Sequence, residues 1–231
     1  MDFGFEDLVN ALAVWTLPVL FAVTLHEAAH GWVALKLGDN TALRLGRVTF
    51  NPFRHVDPVG TVLMPIMILF LSGGRMMFGY AKPVPVNFSR LRMPRRDMAL
   101  VAAAGPAANI LMAVIAASLF HVLPLLPADF AQFAQLNLRN ALWLNLILCV
   151  FNLLPIPPLD GGRVAVALLP SALGRRLARL ERYGFLIILG AMFILPMIGG
   201  TVGLDLDVFR WLVAYPAEAL ARLIGTAVGI M

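Results

Sequence analysis

The chain has 231 residues, 60% of them hydrophobic and only 13% charged, with a net charge of +5 and a mean hydropathy of +0.84. A soluble domain carries about 25% charged and about half apolar residues, so these long apolar blocks exclude an ordinary water-soluble fold. The basic residues sit in short loops between those blocks, which is the positive-inside bias of a membrane protein and excludes a nucleic-acid module as the reading.

A segment needs about 20 apolar residues to cross the hydrocarbon core. Five blocks qualify, at roughly 8–36, 98–123, 138–159, 183–198 and 209–229. The first is read as a retained helix and not a cleaved leader, because Asp2 and Glu6 stand where a signal peptide has basic residues. After it, TALRLGRVTF (41–50) alternates as a strand does, and GYAKPVPVNF (79–88) is extended, with prolines that suit only an edge. A small sheet at the inner membrane face is expected from these two pieces. Between them, VGTVLMPIMILFLS (59–72) is short for a crossing and contains Gly60 and Pro65, so it is read as a re-entrant element. Cys149, the single cysteine, lies in the apolar run NLILCVFN and is a buried thiol in this reading; no disulfide or cysteine-built zinc site can form.

Charge placement sets the topology. The loops 36–57, 73–97 and 160–182 hold Lys36, Arg44, Arg47 and Arg54, then Arg75, Lys82, Arg90, Arg92, Arg95 and Arg96, then Arg163, Arg175, Arg176, Arg179 and Arg182. The loops 124–137 and 199–208 hold only Asp129, Asp205 and Asp207. Basic loops belong inside, so the first and third crossings run inward and the second returns. The expected fold is an all-α polytopic membrane protein of about five transmembrane helices, a short re-entrant element and a small membrane-associated β-sheet. It forms one domain, 1–231, with a core at about 8–165 and accessory helices at about 183–229.

The chemistry lies in polar residues that these helices carry at a cost. HEAAH puts His26 and His30 four residues apart, one helical turn, so both imidazoles share a face and can chelate one Zn²⁺. Glu27, next to the first of them, can reach a water at that metal. An ionisable residue inside a span costs roughly 2.5–3.5 kcal/mol on insertion scales, which makes a functional site the default. A third ligand is required. Val33 and Lys36 occupy the places where an extended HExxHxxGxxH motif has glycine and histidine, and Asp39 follows too closely. His55 and Asp57 in NPFRHVDP stay open, with turn chemistry as their simpler reading. Asp160 in FNLLPIPPLDGGR is the better candidate: Pro155, Pro157 and Pro158 break the helix before it, and Gly161 and Gly162 permit a sharp turn after it. In AGPAAN (104–109), Gly105, Ala107 and Ala108 suit close helix packing, and Asn109 is a candidate for substrate contact or helix glue, as is Asn152.

HEAAH, AGPAAN and NLLPIPPLDGG, in this order on successive core helices, resemble the site-2 protease family of intramembrane zinc metalloproteases, over residues 8–165. NPFRHVDPVGT, GYAKPVPVN and RMPRRDM resemble its compact prokaryotic branch, without a PDZ or CBS domain. The resemblance implies His26, His30 and Asp160 as zinc ligands, Glu27 as the catalytic acid/base, and Asn109 and Asn152 as substrate-binding residues. It also implies hydrolysis of peptide bonds in or beside transmembrane segments of other proteins, in a multi-pass cell-membrane protein whose site faces the cytoplasm. The partners are then membrane-protein substrates and the lipid bilayer, and no nucleic acid. An unwound substrate would pair with the extended edge at 80–87 by strand addition. The rival reading, a metal transporter using the same ligands, has no need of Glu27 and lacks an internal repeat.

Overall fold

The computed structural model describes residues 5–55, 57–64, 66–67 and 82–230. Helix α1 (Phe5–Lys36) is the central rod. At about 1.5 Å per residue it exceeds the hydrocarbon thickness of about 30 Å. Its flanks expose Leu12, Leu17 and Phe21, while Ala22, Thr24, His26, Ala28, His30 and Ala34 are buried. A one-turn helix, α2 (Thr41–Arg44), follows, then a 3-10 turn at Pro52–Arg54 and a π-helical turn at Pro58–Leu63. An extended segment, 82–87, leads to α3 (Pro94–Leu119), and α4 (Ala128–Asn152) returns across it. Helices α3 and α4 pack on α1 and on each other.

Residues 153–159 form no regular helix before α5 (Asp160–Leu168) and α6 (Ser171–Ala178). Then α7 (Glu181–Leu189) continues through a π-helical turn into α8 (Leu195–Val202), and α9 (Tyr215–Val228) follows a second such turn at Arg210–Ala214. The largest apolar cluster joins α3, α4 and α9 through Ala113, Ala116, Ala117, Leu142, Leu146, Ala217, Ala221 and Ile224. Its small side chains let the helices approach closely, which is where packing energy comes from in lipid. Thus α9 belongs to the same packed body as the core, whereas α7–α8 exposes Phe185, Leu186, Ile194, Met197 and Ile198.

Two expectations need correction. No strand exists among the described residues, so the small sheet is absent. Residues 41–44 turn into a helix because the Asp39 carboxylate caps them, accepting from Thr41 N at 3.0 Å and from Thr41 Oγ1 at 2.5 Å. Gly38 and Gly46, at φ +113° and +65°, then bend the chain on either side. Residues 82–87 are extended, but they have no partner strand. Pro83 and Pro85 lack N–H groups, and neighbouring side chains take much of the remaining backbone. Residues 79–81 lie outside the described residues, as do 68–72 of the expected re-entrant element.

Secondly, three helices among the described residues are long and apolar enough to cross a membrane, Val9–Lys36, Pro94–Leu125 and Glu181–Val202, where five were expected. Helix α4 has the length, but Asp129, Gln132, Gln135, Asn137, Arg139, Asn140, Asn145 and Asn152 make it too polar. The last block is divided between the π-helical turn and α9.

Candidate metal centre

His26 and His30 project from one face of α1 toward α3, with ring centroids 4.7 Å apart and their planes nearly perpendicular. Gly105 makes that approach possible. A Cβ there would sit 2.5 Å from both His26 Cε1 and His30 Nε2, so any side chain would collide with the rings. The glycine of AGPAAN is therefore pressed against the histidines.

Asp160 is brought in by α5, which also packs on α3. The irregular stretch after α4 folds tightly on itself: a Cβ on Gly161 would lie 2.1 Å from Leu153 O, and one on Gly162 would lie 2.2 Å from Pro157 N. Helix α7 braces the stretch from outside, its Gly184 against Pro157 O. The prolines end α4, the glycines permit the fold-back, and Asp160 stands in the first turn of α5, where the helix dipole favours a carboxylate.

Three atoms then converge. Asp160 Oδ2 is 3.2 Å from His26 Nε2 and 3.3 Å from His30 Nε2, and the two Nε2 atoms are 3.0 Å apart. All three residues are buried. His30 Nδ1 donates to Val101 O at 2.7 Å; a carbonyl only accepts, so in the neutral ring Nε2 carries the lone pair. Among the described residues, Asp160 Oδ2 has no hydrogen-bond donor. Such a cluster of acceptors needs a cation. Ligand atoms about 2.0–2.2 Å from a tetrahedral zinc lie about 3.3–3.5 Å from one another. The donor set and its spacing fit zinc. Among the described residues, His26, His30 and Asp160 are the group of three or more such side chains close enough to hold a metal.

The other expected residues are placed differently. Asn109 is fully buried, with Oδ1 2.6 Å from His26 Nδ1 and Nδ2 donating to Asn145 Oδ1 at 2.8 Å. It faces the histidine and a neighbouring helix, with no surface open to a substrate. Half-buried Asn152 donates to Leu148 O of its own helix at 3.0 Å. Half-buried Glu27 accepts at Oε2 from Val84 N at 2.6 Å. His55 and Asp57 do not join the metal group: His55 Nε2 meets Thr49 O, and Asp57 caps the next turn through Val59 N and Gly60 N.

The 82–87 segment forms a strap beside Glu27. Lys82 N donates to His55 O at 3.1 Å, buried Arg47 donates to Lys82 O at 2.5 Å and to Pro83 O at 3.4 Å, and Asn87 N donates to the Asp39 carboxylate at 2.7 Å. Burial would push the Asp39 carboxyl up, but the Thr41 hydroxyl and the Asn87 and Thr41 amides outweigh it and hold the group below the usual carboxylate range. Burial lowers the His55 pKa, with Arg47 adding to it, against the opposing Thr49 carbonyl and Glu27. Sequence reasoning missed Arg47, Asn145 and the contact role of Gly105. Asn145 carried a signal, a polar residue inside ALWLNLILCV.

The comparisons with known proteins agree with this chemistry. The model of peptidase family M50 matches residues 127–197. The chain is 39% identical over 188 residues to the Bacillus subtilis protein named "Putative zinc metalloprotease YwhC", covering 78% of this chain and 80% of that one. It is 31% identical to the Mycolicibacterium smegmatis protein named "Putative zinc metalloprotease Rip2", covering 73% of this chain and 62% of the relative. The Mycobacterium tuberculosis protein of the same name is 29% identical, with 83% and 69% covered. No solved structure matches the chain significantly. With its acceptor cluster spaced for zinc and this relationship to YwhC, the chain belongs to peptidase family M50, the site-2 protease family of zinc metalloproteases.

Proposed function

We propose that this metalloprotease cuts peptide bonds in or beside transmembrane segments of other membrane proteins, at a centre held by His26, His30 and Asp160 with Glu27 as acid/base. The observation that carries this reading is the convergence of three acceptor atoms within 3.3 Å, two of them on a helix long enough to cross a bilayer and the third on α5. Zinc bound by these three residues would supply Lewis acidity and lower the pKa of a water toward about 7. The role of Glu27 is to hold and move a proton, from the attacking water to the leaving amine. The Val84 N–H on Oε2 fixes one oxygen of its carboxylate, and the proton is assigned to the other. Half-buried Asn152, in the last turn before the proline break, is assigned to the substrate backbone.

In the same reading the chain is multi-pass and the site opens toward the cytoplasm, because the strap and the basic loops around it share that side. The substrate is a helix that must unwind, since a helix offers no unpaired backbone for cleavage. Much of the hydrogen-bonding capacity at Lys82–Val84 is committed to His55, Arg47 and Glu27, so strand addition there requires the strap to let go first.

The test measures bound zinc and cleavage of a model transmembrane substrate in proteoliposomes. Glu27→Gln should keep stoichiometric zinc and lose cleavage by about 10²–10⁴-fold. Asp160→Ala should lose zinc. Zinc moving across the bilayer, with no cleavage by any form, would replace the protease reading with the transporter.

A further inference from the structure

We infer that Asn109, oriented by Asn145, is a positioning residue that fixes the proton on Nδ1 of His26 and so presents its Nε2 lone pair to the metal. The inference rests on the reading of His26 as a ligand and adds the element that sets its tautomer.

The argument starts from a backbone carbonyl. Asn145 Nδ2 donates to Ala141 O at 2.8 Å, one turn back on α4. A carbonyl cannot donate, so the amide nitrogen of Asn145 must face it and the Asn145 oxygen must face away. That oxygen lies 2.8 Å from the side-chain nitrogen of Asn109 on α3, which must then be the donor. The Asn109 nitrogen also lies 3.5 Å from Ala22 O on α1, a second acceptor on the same side. Both neighbours force the Asn109 oxygen toward His26 Nδ1, 2.6 Å away. An amide oxygen accepts, so Nδ1 carries the hydrogen. In the neutral ring, Nε2 is left with its lone pair, aimed at Asp160 and at the Nε2 of His30.

Each link is buried: Asn109 is 0% exposed and Asn145 2%. Water therefore cannot supply an alternative partner, and reversing one amide would set donor against donor or acceptor against acceptor along the chain. The two histidines are thereby served in the same sense by different means. His30 reaches a backbone carbonyl directly, at Val101. For His26 the line from the Ala141 carbonyl runs through two asparagines. Outer partners of ligating histidines set tautomer and basicity, and their loss typically weakens metal binding by about 10–100-fold.

The experiment uses the full chain in detergent, with zinc alone as the probe, and compares Asn109→Leu, Asn109→Asp, Asn145→Leu and Asn140→Leu. Asn140 is the control: it pins the same helix to α1 through Val14 O and does not touch Asn109. Zinc affinity is read by chelator competition, and the His26 tautomer by ¹⁵N shifts of histidine-labelled, metal-free protein. Asn109→Leu should weaken zinc binding by about 10–100-fold and mix the His26 tautomers. Asn109→Asp keeps an acceptor for His26 Nδ1 but turns a second oxygen toward Asn145 Oδ1 and Ala22 O, so it should keep the Nδ1–H tautomer unmixed and bind zinc more tightly than Asn109→Leu. Asn145→Leu should weaken binding less, and Asn140→Leu should leave it unchanged.

Wild-type affinity together with an unmixed Nδ1–H tautomer in Asn109→Leu would overturn the inference. If that variant fails to fold, the same result in Asn145→Leu overturns it. A wild-type chain that bound no zinc would instead remove the metal reading, while the tautomer shifts would still decide this one.

Discussion

At the metal centre, side chains are held by backbone: His30 by the Val101 carbonyl, and the Asn109–Asn145 pair by the carbonyl of Ala141. In the strap the order is reversed and, apart from Lys82 N on the His55 carbonyl, backbone is held by side chains. Arg47 takes the carbonyls of Lys82 and Pro83, Glu27 takes the amide of Val84, and Asp39 takes the amide of Asn87. The difference bears on motion. Helix carbonyls move only if the helices unpack, whereas a side chain releases its partner by changing rotamer. The strap can thus open locally at a small fraction of the free energy needed to disturb the centre. Both regions meet at α1, where His26 serves one and Glu27, the next residue, serves the other.

The largest effect should come from Gly105→Ala. Its Cβ would fall 2.5 Å from both histidine rings, which are held against α3 by their own Nδ1 contacts to Val101 O and Asn109 Oδ1, one turn to either side of Gly105. A misplacement of about 1 Å at reacting groups is enough to cost about 100-fold in rate. Cleavage should drop by that order and zinc affinity should fall with it, while hydrogen exchange of the 82–87 amides stays at the wild-type rate. Wild-type affinity in this variant would mean that α3 does not press on the ligand face.

Arg47→Met inverts the pattern. Buried Arg47 is the donor to two strap carbonyls, and hydrogen bonds to charged groups contribute about 1.5–3 kcal/mol. Exchange at the amides of Lys82 and Val84 should accelerate correspondingly, and zinc affinity should not move. A parallel loss of zinc would join the two regions into one unit and sink the comparison.

The same contrast explains what was legible in the sequence. His26, His30 and Asp160 could be read because spacing on a helix and a proline–glycine break each have one geometric consequence. The lipid cost of their polarity marked them further. The orientation of Asn109 could not be read, since it depends on Asn145 and Ala141 O on another helix, and a single asparagine in an apolar run has many uses. The strap was misread for a related reason. Alternation at 41–50 and extension at 79–88 are local properties, but a sheet needs a partner ladder. Here Asp39 capped one piece into a helix, and the prolines removed two amides from the other. Helix α4 falls short of the other candidate spans in apolar character because it buries asparagines that serve helix contacts, with Asn140 and Asn145 among them.

Asp39→Asn should loosen the strap more mildly, by about 1.5 kcal/mol, because the amide keeps one acceptor but turns a donor toward Thr41 or Asn87. Its carboxyl titrates below the ordinary value, so its contribution is full above about pH 4 and disappears as the pH falls through the lower folded value. Amide exchange of Asn87 in wild type should therefore rise in acid, and Asp39→Asn should lack that rise.

His55 gives the smallest and most selective test. The residue is 1% exposed, its Nε2–H donates to Thr49 O, and its Nδ1 is buried with no partner among the described residues, which suits the neutral ring. Protonation would place a second donor where nothing accepts it, with Arg47 close enough to oppose the added charge. The folded pKa therefore lies below 6.5, and the unfolded chain binds the proton first. Stability should then fall as pH drops below about 6.5, by at most about 1.4 kcal/mol per unit, until the lower folded value is reached. Because His55 O also accepts from Lys82 N, the loss should register as faster exchange at the Lys82 amide at pH 5.5 than at pH 7, after correction for intrinsic rates. His55→Gln, which keeps a donor for Thr49 and does not titrate, should abolish that slope and leave zinc affinity at pH 7 unchanged. An equal slope in the variant would assign the pH response to other groups and uncouple the His55 ring from the strap.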